Sequence, residues 1–192
     1  MQKLILVRHS QTEMNPAIPA NRWHLSAEGR RRCRLLGERL LGYQPAHLIS
    51  SMERKAVETA EILSEVFKKK IEIFADLHEH ERDNVGFLSP REFSEAIAGL
   101  FREPDRLIFG TETTDRARLR FSKAISKIEE KYGSGNLVVV SHATVISLFI
   151  AAHNNLDAYS FWQRLGMPAF AVLALPGFKL IRLVEEIAFE RD

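Results

Sequence analysis

Three short apolar runs in this 192-residue chain each end on side chains able to do chemistry. Leu4–Val7 is followed by Arg8 and His9, and Leu48–Ile49 by Ser50, Ser51 and then Arg54. Leu137–Val140 is followed by Ser141 and His142. A neutral imidazole can attack phosphorus and carry a covalent intermediate. Planar guanidinium forks match the oxygens of a phosphoryl group. A helix opening beside Arg54 adds backbone N–H groups and the positive end of its dipole. Zinc is the competing chemistry, because imidazole is a common ligand. Arginines beside the histidines would repel a cation. His78-Glu79-His80-Glu81 is a separate metal candidate, since alternate residues of an extended segment share a face.

The two histidines are 133 residues apart in sequence (142 − 9), so only tertiary structure can join them. The elements that must do so alternate. Apolar runs at 3–7, 46–50, 71–74 and 136–140 read as strands, the first as one buried on both faces. Helices are expected over 26–42, with Ser26 as N-cap and Gly42 as C′ residue, and over 50–67, where Ser50 and Glu53 have capping-box spacing. Ala56, Ala60, Leu63 and Phe67 form the apolar stripe of the second helix. Further helices are expected over 90–101, 115–132 and 144–153. The runs 169–175 and 179–187, separated by Pro176-Gly177-Phe178, read as an antiparallel pair. The pattern argues for an α/β fold with a mainly parallel sheet. In such sheets ligands sit at the carboxyl ends of the strands, where Arg8, His9, Arg54 and His142 would meet.

Composition narrows the class. A hydrophobic share of 45% with 27% charged residues is that of a globular protein. The net charge of +2 is too small for a nucleic-acid footprint but allows a local anion site. No run approaches ~20 apolar residues, so no membrane span is expected. No signal peptide is visible, and Cys33, the single cysteine, has no partner for an internal disulfide. Cytoplasmic location is the default expectation, and Cys33 is expected to pack in the core.

The stretch "LVRHSQTEMN" resembles the signature of the histidine phosphatase (phosphoglycerate mutase-like) superfamily: Arg-His-Gly, then a hydroxyl residue and an Asn, matched by Arg8, His9, Thr12 and Asn15. "HLSAEGRRRCRLLGERL" resembles the Leu-(Ser/Thr)-x-x-Gly segment, and "ISSMERKAVETAEIL" the Ser-x-x-x-Arg-Ala-x-x-Thr-Ala segment, with Arg54 in the phosphate-binding position. "LHEHE" resembles a Leu-x-Glu element, "GTETTDRARLRF" the Gly-Glu-Ser segment before a long helix, and "VVVSHATVI" the second histidine motif. Each motif alone is weak, but their order along most of the chain is specific. Ser10 and Ala143 stand where glycine is common, and could narrow the pocket. Ser51 replaces a common proline, with little consequence expected.

The resemblance implies a phosphoglycerate mutase-like three-layer sandwich, its central sheet flanked by helices, as one domain over 1–192 with an inserted acid-bearing and substrate region at about 78–114. It implies phosphoryl transfer through phosphohistidine. His9 would attack; Arg8, Arg54 and His142 would hold the phosphoryl oxygens; Asn15 would donate another hydrogen bond. Glu79 would protonate the leaving oxygen and then activate water, with Glu81 and His80 close enough to compete for that role. No metal or other cofactor is required. Ser141 is expected to orient a loop, and His24, His47 and His153 to be structural. The expected activity is hydrolysis of a phosphoric monoester, a small phosphorylated metabolite or a phosphoprotein. A phosphoglycerate mutase-type phosphomutase is the alternative. A catalytically weak phospho-ligand-binding or signalling module is the alternative from another class. Arg82, Phe87, Arg91 and Arg106 are the candidates for choosing the substrate.

Overall fold

A computed structural model describes residues 1–189. Its centre is a six-stranded sheet. In chain order the strands are β1 (Lys3–Arg8), β2 (Pro45–Ser51), β3 (Ile71–Phe74), β4 (Asn136–Ser141), β5 (Ala169–Ala174) and β6 (Lys179–Val184). Across the sheet they run β3-β2-β4-β1-β5-β6. The first four are mutually parallel, and β5 is antiparallel to both β1 and β6. The helices are α1 (Ala27–Leu41), α2 (Arg54–Phe67), α3 (Pro90–Arg102), α4 (Thr114–Lys131), α5 (Ala143–Asn154) and α6 (Ala158–Arg164).

Strand alternation builds the three layers. Ile5, Val7, Leu48, Val138 and Val140 pack with Leu36 and Leu40 of α1 and with Ala56, Ala60 and Leu63 of α2. Leu4, Leu6, Ile49, Leu137 and Val139 face the other way, onto Phe121 and Ile125 of α4, Ile146 and Phe149 of α5 and Phe161 of α6. Both faces of the sheet are therefore covered, which is why these strands read as continuous apolar runs. Each fully buried Leu, Ile or Val contributes about 1.5–3 kcal/mol relative to exposure. Cys33 is fully buried on the α1 face.

Register then places the chemistry. β4 lies between β1 and β2, with Arg8 opposite Ser141 and Ser50 opposite Val140. The three polar strand ends expected to meet do so, because their strands are parallel neighbours.

Local details differ from expectation at several helix ends. Ser26 caps α1 by accepting from Gly29 N, but Gly42 is right-handed at φ −60°, and the left-handed turn falls on Gln44 at φ 51°. The Ser50–Glu53 capping box does not form: Glu53 is the N-cap residue of α2 without a capping bond, and its carboxylate is used elsewhere. A capping box does form at α3, between Ser89 and Glu92. Helix α6 was not expected from the sequence; its seven residues are too short for a periodic signal to stand out.

Candidate active site

The loop that follows β1 and carries His9 is fastened by small contacts. His9 N donates to Ser141 O at 3.0 Å, tying the end of β1 to β4. The next residue, Ser10, is fully buried; its N–H donates to Thr59 Oγ1 and its hydroxyl donates to Gly29 O at 2.8 Å. Its side chain is thus taken up by α1 and does not narrow the pocket. Gly29 is needed at that junction, because a Cβ there would lie 2.1 Å from Gln11 O. Ala143, the other replacement of a common glycine, buries its methyl in the core beneath α5.

His9 Nδ1 lies 2.8 Å from Ser10 O. A carbonyl can only accept, so Nδ1 carries the proton and Nε2 the lone pair. His142 lies with its ring centroid 5.2 Å from that of His9. Its Nε2 is 2.9 Å from Ser51 Oγ and 3.5 Å from Glu53 Oε1, while Nδ1 is buried without a partner. Burial, and next the charge of Lys55, push both imidazoles well below the ordinary histidine range, so both are neutral at neutral pH.

The cations are not all where the sequence placed them. Arg8 is there: Nη1 donates to Leu165 O, and Nε is buried without a partner. Burial lowers its pKa to about 10, with Arg82 adding to the effect and Glu79 opposing it. Arg54, on the wall of the cleft, turns instead to Glu58 and His24. Its side chain is 52% exposed, and Nε donates to Glu58 Oε1 at 2.8 Å. Lys55 takes the inner position: it is 5% exposed, and Nζ bonds Glu53 Oε2 at 2.9 Å and donates to Ala20 O at 2.9 Å. One helical step of about 100° separates the two side chains. The motif's own spacing supplied the missing signal, since Arg-Ala-x-x-Thr-Ala counted back from Thr59-Ala60 falls on Lys55. Glu58, almost fully buried, explains where Arg54 goes, because it also binds His24, Arg30 and the backbone N–H of Leu25.

The acid candidates separate clearly. Glu79 is buried at the start of α5: Oε1 accepts from His80 N at 2.9 Å, and Oε2 from Thr144 N at 3.2 Å. Burial pushes this carboxyl up, but the Arg82 charge and the His80 amide outweigh it and hold it below the usual range. Arg82 lies 3.8 Å from Glu79 Oε2 and over the Phe93 ring, with a buried, unpartnered Nη1. Glu81 instead faces outward, to His78 and Thr111. Ligand atoms of His78, Glu81 and Glu112 lie within 4.8 Å of one another, but Arg120 already holds Glu112, at 2.5 Å. His80 is buried against Glu112 O at 2.7 Å.

Asn15 is also placed differently from expectation. It is exposed, and its Oδ1 accepts from Ala17 N within its own loop, which Trp23 closes by donating to Asn15 O. Ser141 donates to Leu77 O at 2.7 Å and so orients the acid-bearing segment. Ser51 has more consequence than its sequence position suggested, since it is the hydroxyl against His142. His47 stacks on Tyr132, and His153 packs among Phe149 and Phe178. A cleft of about 940 Å³ opens above the site, with Glu53, Arg54, Glu79, His78 and Arg22 on its wall.

Fold and site together are those of a phosphatase, with buried imidazoles and cations gathered at the carboxyl ends of parallel strands. The chain belongs to the histidine phosphatase superfamily (branch 1), whose family model matches residues 4–175, and it is a phosphatase. It is 25% identical over 154 residues to the "Uncharacterized phosphatase PhoE" of Bacillus subtilis, covering 76% of this chain and 74% of that protein. Its fold is similar to a mycobacterial glucosyl-3-phosphoglycerate phosphatase (TM-score 0.76, 21% identity, 95% of this chain and 96% of that one). It is also similar to a phosphoserine phosphatase from Entamoeba histolytica in complex with phosphoserine (TM-score 0.79, 15% identity, 96% and 97%). No described helix is long and apolar enough to cross a membrane.

Proposed function

We propose that the protein hydrolyses a small phosphoric monoester in two steps, through a phosphohistidine on His9. The observation that carries this is the His9 hydrogen bond to Ser10 O, which leaves Nε2 as a lone pair in a buried, cation-lined site. His9 Nε2 attacks phosphorus as the ester P–O bond breaks, and Glu79, an anion that the negative charge of the bound ester drives to take up a proton from solvent, delivers that proton to the departing oxygen. Water then attacks the phosphohistidine and Glu79 accepts its proton, returning His9 and inorganic phosphate. Arg8, Lys55 and His142 hold the phosphoryl oxygens and offset the charge of the transition state. Arg8 Nε and His142 Nδ1 are the unpartnered donors for this, the latter when Ser51 donates its hydroxyl to Nε2.

The cleft admits a substrate larger than phosphate alone, and a wall of polar and charged residues suits a hydroxylated metabolite. The relatives named for glucosyl-3-phosphoglycerate and phosphoserine support this class. The region 78–114, within the single domain, supplies Arg82 beside Glu79 and is where specificity is set. A reducing cytoplasm suits the one buried thiol.

The test is rapid-quench labelling with a ³²P-labelled monoester. An acid-labile label on His9, absent in His9→Ala, is expected. Label on Ser10, Ser141 or His142 overturns the assignment.

A further inference from the structure

Phosphate sites are lined by cations, yet this one contains a carboxylate that catalysis does not use. Glu53 stands at the mouth of α2 and on the wall of the cleft. Its Oε2 lies 2.9 Å from Lys55 Nζ. Its Oε1 accepts from Glu79 N at 2.7 Å and lies 3.5 Å from His142 Nε2. The side chain is only 9% exposed. Burial pushes its carboxyl up, but the Lys55 charge and hydrogen bond and the Glu79 amide hold it below the usual range, so it is an anion at neutral pH. Glu53 therefore takes part of the coordination of the cation that the phosphoryl group needs.

We propose that Glu53 is the specificity-determining counter-ion of this site: it competes with the incoming phosphoryl group for Lys55, and only a dianionic phosphate displaces it. This rests on the proposed role of Lys55. A phosphate monoester dianion brings two charges and several acceptor oxygens to Lys55, Arg8 and His142, enough to replace one carboxylate. A phosphodiester or a sulfate ester brings a single charge. It has no surplus over the Glu53 carboxylate it must displace, and it meets the repulsion of that carboxylate in a site of low dielectric. The same competition helps product leave, because Lys55 passes back to Glu53 as inorganic phosphate departs. Glu53 also positions Lys55 and the Glu79 backbone, which explains why it reaches across the site and forgoes capping α2.

Glu53→Gln separates the two roles. The amide oxygen still accepts from Glu79 N–H, while the charge is removed. Inorganic phosphate binding at pH 8 is measured by titration calorimetry, and dimethyl phosphate, a monoanion, is tested in parallel. Phosphate should bind about 10-fold more tightly to Glu53→Gln than to the parent, equivalent to about 1.4 kcal/mol. Dimethyl phosphate should show no measurable binding to the parent and should bind Glu53→Gln in competition with phosphate. A damaged site would bind phosphate more weakly, so tightening is a result that a purely structural role does not produce. Unchanged or weakened phosphate binding overturns the proposal. If Glu53→Gln does not fold by circular dichroism, Glu53→Ala removes the same charge and must show the same tightening. Binding at equilibrium needs no covalent step, so loss of the His9 label in the parent would sink the phosphohistidine mechanism without touching this result.

Discussion

His9 and His142 face each other at the ends of adjacent parallel strands, their ring centroids 5.2 Å apart and their planes inclined by 59°. Two imidazoles this close in a buried site cannot both be charged. Burial and Lys55 keep both neutral, which suits one as nucleophile and the other as hydrogen-bond donor.

That neutrality makes the fold sensitive to acid. In the unfolded chain each histidine takes up a proton below about pH 6.5. In the fold it does so only at much lower pH. The unfolded state therefore binds more protons in that window, and stability falls as pH is lowered through it. Each such histidine contributes a slope of about 1.4 kcal/mol per pH unit below roughly pH 6. His142→Asn should flatten the dependence by about that amount, measured by urea unfolding from pH 7.5 to 5. An unchanged slope would mean that His142 is protonated in the native state.

Lys55, and not Arg54, should be the cation that the reaction needs. Loss of a buried charge-assisted contact to the phosphoryl group removes about 1.5–3 kcal/mol, or roughly 10- to 200-fold. Lys55→Gln should lower kcat/KM for a monoester by about that factor. Arg54→Gln, whose guanidinium is half exposed on Glu58, should cost less than about 5-fold. Lys55→Arg should recover part of the loss. A larger effect at Arg54 than at Lys55 would require the helix to present its other face to substrate.

Glu79 and Glu81 should differ in their dependence on the leaving group. A general acid is worth about 100- to 10,000-fold when an alkoxide departs and far less for a nitrophenolate. Glu79→Gln should slow phosphoryl transfer from an alkyl phosphate by that factor, while phosphohistidine formation from nitrophenyl phosphate is largely kept. Glu81→Gln, on the outer side of the segment, should show no such contrast. Single-turnover kinetics with both substrates decides it, and leaving-group dependence at Glu81 alone would move the acid two residues along the chain.

The alternating elements of this protein were legible in its sequence because burial on both sheet faces leaves uninterrupted apolar runs such as Leu4–Val7 and Leu137–Val140. The polar residues ending those runs, Arg8, His9, Ser141 and His142, were legible for the same reason: polarity returns abruptly where the sheet ends. The resemblance added Glu79 over Glu81. What the sequence left open was rotation and reach. Arg54 and Lys55 are adjacent cations; the spacing back from Thr59-Ala60 points to Lys55, and the packing of α2, with Ala56, Ala60 and Leu63 against the sheet, is what turns it inward. Glu53 had the spacing of a helix cap, yet the amide of Glu79, 26 residues away, and the ammonium of Lys55 offered it stronger partners. Ser51 read as a harmless replacement until β2 and β4 set its hydroxyl 2.9 Å from His142. Such choices depend on partners distant in sequence and on the facing of a helix within the folded layers, and neither is written in local pattern.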